Sequence, residues 1–140
     1  MGTLAANKVR AYEASHVDEF NDLPVKADDI IYEGAAITLA SGLVAPLATT
    51  NGFYGFADKK CDNASGAASA KNVRVRTRGY VVLAVTGVTA VTDVGTAVYA
   101  HDEDDFTLTA GSDLTIGKIA RWISGTSCVV YFEALPLRSI

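Results

Sequence analysis

The segment from Asn72 to Val85 constrains the fold of this chain more than any other. Its first half alternates strictly between polar and apolar side chains, and its second half ends in the continuous apolar run VVLAV. Alternation with a period of two is typical of a strand with one wet face, whereas a continuous apolar run indicates burial of both faces. The sequence therefore predicts a long strand that starts with one face in solvent and ends inside a core.

Other short runs of β-branched and aromatic residues, separated by turn residues, bring the predicted total to about eight strands. These runs lie at 30–39, 43–47, 53–57, 96–100, 106–110, 114–123 and 128–135. The last four favour two hairpins, one across the five-residue loop HDEDD and one across SGTS. Gly34 and Gly55 fall inside runs, where glycine commonly marks a bulge or a close approach. We predict an all-β fold, a small antiparallel barrel or sandwich.

Residues 1–28 differ from the rest of the chain. They are rich in charge, their large apolar residues, including Tyr12 and Phe20, are isolated, and Pro24 would end a helix. Their spacing fits no clean strand and fits a helix only loosely. The sequence therefore predicts an extended N-terminal arm over 1–28, which is held by a neighbouring surface or another subunit or else is frayed. A single β-domain over 29–140 follows it.

Composition limits the classes of partner and compartment. The chain has 140 residues, 49% of them apolar and 20% charged, which suits one globular domain that needs no metal or disulfide. Its net charge of -4 argues against a polyanionic partner, so we expect no nucleic-acid binding. We also expect no membrane partner, because no apolar run is long enough to span a bilayer, and no signal peptide, so synthesis is cytoplasmic. Cys61 and Cys128 fit no metal or redox motif and are predicted to be free thiols.

The strongest candidate for metal or acid–base chemistry is the loop after His101, which carries Asp102, Glu103, Asp104 and Asp105. Oxygen-rich clusters suit hard cations, but the spacing of a calcium loop is missing, and a solvated hairpin tip is the simpler interpretation. His16 and His101, the two histidines of the chain, accompany no recognisable nucleophile motif. We expect no enzymatic activity, no catalytic residues, no metal and no cofactor.

A ligand-binding alternative depends on two other features. Trp122 follows Arg121 in a predicted strand, where a tryptophan either stacks on a ligand or belongs to a core or an interface. Residues 58–72 form a long stretch of small polar residues, and loops of that length tend to be functional or mobile. Together they suggest, as the alternative function, a module that binds a carbohydrate ligand.

Arg74, Arg76 and Arg78, called the arginine row below, occupy every second position of the long strand. They share one face with Tyr80, at a spacing of about 6.6 to 6.8 Å between successive same-face side chains. Because positive charges this close repel each other, we expect acidic groups beside them. Acidic neighbours within this chain would make the row an ordinary wet sheet face, whereas acidic groups on another chain would make it a contact surface. The sequence leaves both interpretations open.

Five segments of the chain resemble, in order and spacing, the small capsid decoration or cement proteins of tailed bacteriophages. The segments are DIIYEGAAI (29–37), GFADKKCDNASGAASAKNVRVRTRG (55–79), VTDVGTAVYA (91–100), DDFTLT (104–109) and IGKIARW (116–122). Each motif consists of ordinary strand and turn residues, but the five together extend the likeness over roughly residues 12 to 133. The resemblance implies a compact β-barrel or β-tulip-like domain without catalytic residues.

The resemblance also implies a location and partners. Such proteins are commonly homotrimers on the outer surface of the virion capsid, where they bridge neighbouring major capsid subunits against the pressure of packaged DNA. Their N-terminal arm reaches onto the capsid or a neighbouring decoration subunit. The residues expected to contact another subunit or the capsid are Tyr12, Phe20, Arg74, Arg76 and Arg78.

Overall fold

The computed structural model describes residues 3–13, 19–48, 52–111 and 115–134. The described residues form twelve strands and one turn of 3-10 helix, and they contain no α-helix, so the all-β prediction is confirmed. The first six strands are β1 (Tyr12–Glu13), β2 (Glu19–Pro24), β3 (Ile30–Ile31), β4 (Ala36–Ala40), β5 (Leu43–Pro46) and β6 (Gly55–Ala57). The remaining strands are β7 (Cys61–Asp62), β8 (Asn72–Thr86), β9 (Ala97–Asp102), β10 (Asp105–Thr107), β11 (Thr115–Ser124) and β12 (Ser127–Glu133).

Five of these strands close into a barrel. They follow the order β10, β9, β11, β12, β8, and β10 pairs back onto β8 to complete the ring. The pairs within this order are antiparallel, whereas the closing pair is parallel, with Phe106 opposite Val85. Both predicted hairpins are present, and their turns are shorter than expected, because the strands themselves continue to Asp102 and Ser124. The predicted barrel is therefore confirmed.

The strand β8 extends beyond the barrel into a second layer of pairing. Its first half pairs with β2 along one edge and with β6 along the other, and the sheet continues from β6 to β4 and β5. The strands β3 and β7 form a separate two-stranded ladder. The long predicted strand thus belongs to both parts of the molecule and ties them together.

The barrel interior is filled by side chains from all five of its strands. The apolar cluster that occupies it includes Val81, Leu83, Val98, Phe106, Ile116, Ile119, Cys128, Val130 and Phe132. The rings of Phe53, Phe56 and Phe132 meet edge to face, and the centroids of Phe56 and Phe132 are 4.9 Å apart. The interior is therefore a packed core and not a channel.

A second apolar cluster lies on the other side of β4 and β6. Phe56 belongs to the barrel cluster, and its neighbour Ala57 belongs to the second one. Because successive residues of a strand point to opposite faces, β6 must separate the two clusters. The second cluster also receives Val73 and Val75 from β8 and Val25 from the chain after β2.

One prediction about β8 is wrong. Its second half was expected to be buried on both faces, but burial alternates along the whole strand, with Val82 half-buried and Ala84 exposed. A strand in the wall of a small barrel turns only one face to the interior. The Val82 amide donates to the carbonyl of Ala11, so the arm pairs with the edge of β8 there.

The expectation that residues 1–28 contain no clean strand is also wrong. The strand β1 pairs antiparallel with β8 at Val81, and β2 pairs with β8 from Arg78 back to Asn72. Four of the six residues of β2 are exposed, so backbone pairing and not an apolar face holds this edge strand. The boundary placed between the arm and the domain at residue 28 stays a prediction.

Short-range backbone features include one turn of 3-10 helix, Val91–Asp93, which follows Ala90. Gly34 and Gly55 do mark close approaches, because a Cβ would lie 1.8 Å from the Lys8 carbonyl oxygen at Gly34 and 2.3 Å from that of Arg76 at Gly55. Within the described ranges, no helix is long and apolar enough to cross a membrane.

Candidate functional site

Two rings from the N-terminal arm lie on the arginine row. The guanidinium carbon of Arg76 lies 3.7 Å from the ring centroid of Tyr12 and 4.5 Å from that of Phe20. The guanidinium carbon of Arg74 lies 4.2 Å from the Phe20 centroid. The structure therefore packs four of the five predicted contact residues together, because β1 and β2 pair with β8 and place their aromatic side chains beside it.

The acidic partners of the row belong to this chain. Asp58, just after β6, lies between two of the arginines, with its Oδ2 3.6 Å from Nε of Arg74 and its Oδ1 3.5 Å from Nη2 of Arg76. Arg78 contacts Glu19 at 3.9 Å and Glu133 at 3.7 Å. Each arginine of the row therefore has an acidic neighbour within the chain, and the expected contact of the row with another chain stays a prediction.

The three arginines differ sharply in exposure, and this difference separates their roles. The exposed fraction of the side chain is 13% for Arg76, 31% for Arg78 and 50% for Arg74. Arg76 is therefore a packing element between two rings and a carboxylate. Arg74 faces outward, next to a ring that is itself exposed, since Phe20 is 39% accessible.

Tyr12 lies on the inner side of this group. Its ring packs against the core residue Phe132, with the centroids 6.3 Å apart. Burial raises the pKa of Tyr12 to about 12, against the opposing effect of the Arg76 and Arg10 charges. The phenol is neutral at physiological pH, and Tyr12 joins the arm to the barrel core.

A shallow cleft of about 360 Å³ marks the outward part of the group. Its lining, called the Phe20–Arg74 surface below, consists of Phe20, Asn21, Asp22 and Arg74. Asp22 is the cross-strand partner of Arg74 in the β2–β8 ladder. This surface combines an exposed ring with an exposed guanidinium, two groups that are enriched where proteins meet.

The acidic loop after His101 is not the solvated tip that the sequence predicted. Asp102 and Glu103 are buried, and Asp104 accepts hydrogen bonds from Lys8 at 3.0 Å and Arg10 at 2.9 Å. The prediction is wrong because the N-terminal arm crosses the loop. In the described part of the chain, no three His, Cys, Asp or Glu side chains are placed to hold a metal ion. His16 lies outside the described residues.

Burial gives the acidic loop an unusual carboxyl group. It raises the pKa of Glu103, a backbone hydrogen bond from Leu4 opposes the shift, and the charges of Asp102 and Asp104 add to it. The loop is thus a buried part of the arm contact, in which one acid is disfavoured as an anion.

Sequence reasoning missed Arg10, which fastens the arm to the barrel. Its side chain is 4% exposed, and its guanidinium carbon lies 5.3 Å from the Phe56 ring centroid and 5.4 Å from that of Phe106. Its Nε donates to the carbonyl of Gly34 at 2.8 Å. No periodic signal marks Arg10 in the sequence, because the groups that it contacts are distant along the chain.

The two features of the ligand-binding alternative are not brought together. Trp122 packs against the barrel core, and its Nε1 donates to the Gly125 carbonyl at 3.0 Å, which fixes it within the β11–β12 hairpin. Trp122 pairs across the ladder with Cys128, which pairs with Leu83 near the C-terminal end of β8. The 58–72 loop leads into Asn72, at the opposite end of the same strand.

The loop itself is organised around Asn63. Its side chain is buried, and Nδ2 donates to the carbonyls of Lys26 at 3.0 Å and Ala67 at 3.1 Å. Cys61 and Cys128 are buried free thiols, as predicted, and burial raises the pKa of both. These features stabilise the fold and present no reactive group.

Comparison of the chain with models of protein families, with curated proteins and with solved structures finds no match.

Proposed function

We propose that this chain is a structural virion protein, a capsid decoration or cement protein of a tailed bacteriophage. It acts as a homotrimer on the outer surface of the phage head, binds the major capsid protein and stabilises contacts between neighbouring capsid subunits. It has no enzymatic activity and takes no cofactor. The proposal starts from the five segments of resemblance and from a barrel fold that suits them.

The arrangement of the N-terminal arm supports this proposal. A decoration protein needs a rigid body and a surface that other subunits can recognise. Here the arm is part of the rigid body, since Arg10 and the two strand pairings hold it on the barrel. Such preorganisation lowers the entropic cost of association.

The single observation that carries the proposal is the Phe20–Arg74 surface. Phe20 is 39% exposed and Arg74 is 50% exposed, and they are stacked on each other at a strand edge. A solvated sheet face has little need of an exposed phenylalanine, whereas a ring and an arginine at the centre of a contact provide much of the binding free energy. This surface is therefore the part of the molecule that we assign to the capsid or to a neighbouring subunit.

The direct test is binding to phage heads assembled without this chain. Purified protein is expected to co-sediment with such heads, to raise the temperature at which they release DNA, and to sediment alone as a trimer in analytical ultracentrifugation. Electron microscopy of the decorated heads should show added density on the outer surface between capsid subunits. A chain that stays monomeric and remains in the supernatant would contradict the proposal.

A further inference from the structure

The Phe20–Arg74 surface contains a cation whose hydrogen-bonding capacity is largely unused by the described residues. The guanidinium of Arg74 approaches Asp58 only through Nε, at 3.6 Å, which is too long for a hydrogen bond. Its two terminal nitrogens make no hydrogen bond to any described residue. An arginine side chain presents its N–H groups as a planar fork that matches the two oxygens of a carboxylate.

The fork is held in place before any partner arrives. The guanidinium of Arg74 lies over the Phe20 ring at 4.2 Å, and the same ring is 4.5 Å from the guanidinium carbon of Arg76. Phe20 is fixed in turn by the pairing of β2 with β8. Stacking occupies the face of a guanidinium and leaves its edge available, so the edge can bind without first losing side-chain freedom.

Local charge favours a single carboxylate as the occupant. Arg74 has a single charged contact among the described residues, to Asp58 at 3.6 Å, and half of its side chain faces solvent. A phosphate polymer would be repelled by Asp22, which lies directly across the ladder from Arg74, and by the net charge of -4 on the chain. An isolated acidic side chain on a protein surface satisfies the fork, and because it carries one negative charge it meets less of that repulsion than a polymer does.

We propose that Arg74 is the anchor of the protein contact and that its terminal nitrogens receive the carboxylate of an aspartate or glutamate presented by the partner. The identity of the partner, the major capsid protein, rests on the proposed function above, whereas the carboxylate specificity of Arg74 does not. Phe20 supports the pair from below as a positioning residue. Asp22, on the same surface, competes electrostatically with the incoming acid.

The first experiment measures the affinity of variants for phage heads assembled without this chain. Arg74→Gln should weaken binding by about tenfold or more, since a charge-assisted bidentate pair is lost. Arg74→Lys should also weaken it, because an ammonium keeps the charge but not the fork. Asp22→Asn should tighten it. Lys118→Gln, which removes one exposed positive charge from β11, is the matched control and should bind like the wild type.

The outcomes of this experiment separate the two proposals. Failure of the wild-type chain to bind heads would overturn the decoration function. Wild-type binding that Arg74→Gln leaves unchanged would overturn the anchor and keep the function. Equal affinity of Arg74→Lys and the wild type would overturn the bidentate pair.

A second experiment does not depend on phage heads. The Nε–Hε resonance of Arg74 is followed by NMR while a short glutamate-rich peptide is added to the intact chain, with the matching glutamine peptide and inorganic phosphate as controls. The glutamate peptide should shift this resonance at millimolar concentration, and the glutamine peptide should not. A response to phosphate alone would contradict carboxylate specificity, and so would equal responses to the two peptides.

Discussion

Two arginines of this chain lie on aromatic rings, and their surroundings differ in almost every other respect. Arg10 is buried, its Nε donates to the Gly34 carbonyl, and its Nη2 lies 2.9 Å from Asp104. Arg74 is half exposed and has one long charged contact, to Asp58. Arg10 therefore stabilises the packing of the arm on the barrel, whereas Arg74 presents its hydrogen-bond donors to solvent. Burial and the number of satisfied N–H groups distinguish the two roles.

The largest expected effect on stability comes from removing the buried side chain of Arg10. Arg10→Ala should lower the free energy of unfolding by about 3 kcal/mol, because Asp104 loses its closest buried partner and the arm loses its anchor. Urea denaturation measures this loss, and hydrogen exchange should show faster exchange of the Val82 amide, which donates to the arm at Ala11.

Lys8 provides a matched control for Arg10. Its Nζ contacts the same carboxylate at 3.0 Å, but its side chain is 51% exposed. Lys8→Ala is therefore expected to cost less than about 1 kcal/mol. Equal losses for the two variants would show that burial is not what distinguishes Arg10.

The next effect tests the close approach of the arm at Gly34. This residue has φ +88°, and an added Cβ would lie 1.8 Å from the Lys8 carbonyl oxygen. Gly34→Ala should destabilise the fold by about 2 to 3 kcal/mol, through backbone strain and displacement of the arm. Thermal and urea denaturation measure the change.

Gly42 separates these two contributions, because it has φ +82° and open space where a Cβ would be. Gly42→Ala should cost only the strain, about 1 kcal/mol. If Gly42→Ala were as damaging as Gly34→Ala, the arm contact would contribute nothing.

The barrel could be predicted from the sequence because its strands carry their own pattern. The alternation before Gly79 and the apolar runs of β9, β11 and β12 are local signals of pleated, half-buried structure. The arm gave no such signal. The strand β2 has mostly exposed residues and is stabilised by pairing with β8, which is about fifty residues away along the chain.

The candidate site shows the same limit. The arginine row and its shared face followed from a period of two, but the rings that lie on it come from the arm, and Asp58 comes from the end of β6. Whether an arginine is buried or exposed depends on these distant neighbours. Spacing alone therefore identified Arg74 and Arg76 and could not rank them.

A smaller effect tests the acidic side of the Arg10 region. Because burial raises the pKa of Glu103 in the folded chain above its unfolded value, the folded state retains a proton that the unfolded state has already lost. The contribution of Glu103 to the free energy of unfolding therefore rises as the pH falls through the folded-state pKa. Above that pKa, ionisation of Glu103 destabilises the fold. Glu103→Gln, which keeps an oxygen for the Leu4 amide, should stabilise the fold at pH 7 and abolish the rise in stability that Glu103 contributes as the pH falls.

The matched control for Glu103 is Glu19→Gln, an exposed acid on β2. It should change the free energy of unfolding by no more than about 0.5 kcal/mol. A loss of stability in Glu103→Gln at pH 7 would show that the Glu103 carboxylate is favourable as an anion and would contradict the assigned sign.

The smallest expected effect completes the comparison of the two arginines. Arg74→Gln should change the free energy of unfolding by no more than about 0.5 kcal/mol, because a half-exposed ion pair at 3.6 Å contributes little and the Phe20 ring keeps its contact with Arg76. Urea denaturation of Arg74→Gln beside Arg10→Ala provides the measurement. If Arg74→Gln destabilised the chain as much as Arg10→Ala, Arg74 would be a residue that stabilises the fold. Weaker binding by its variants would then no longer identify a contact with a partner.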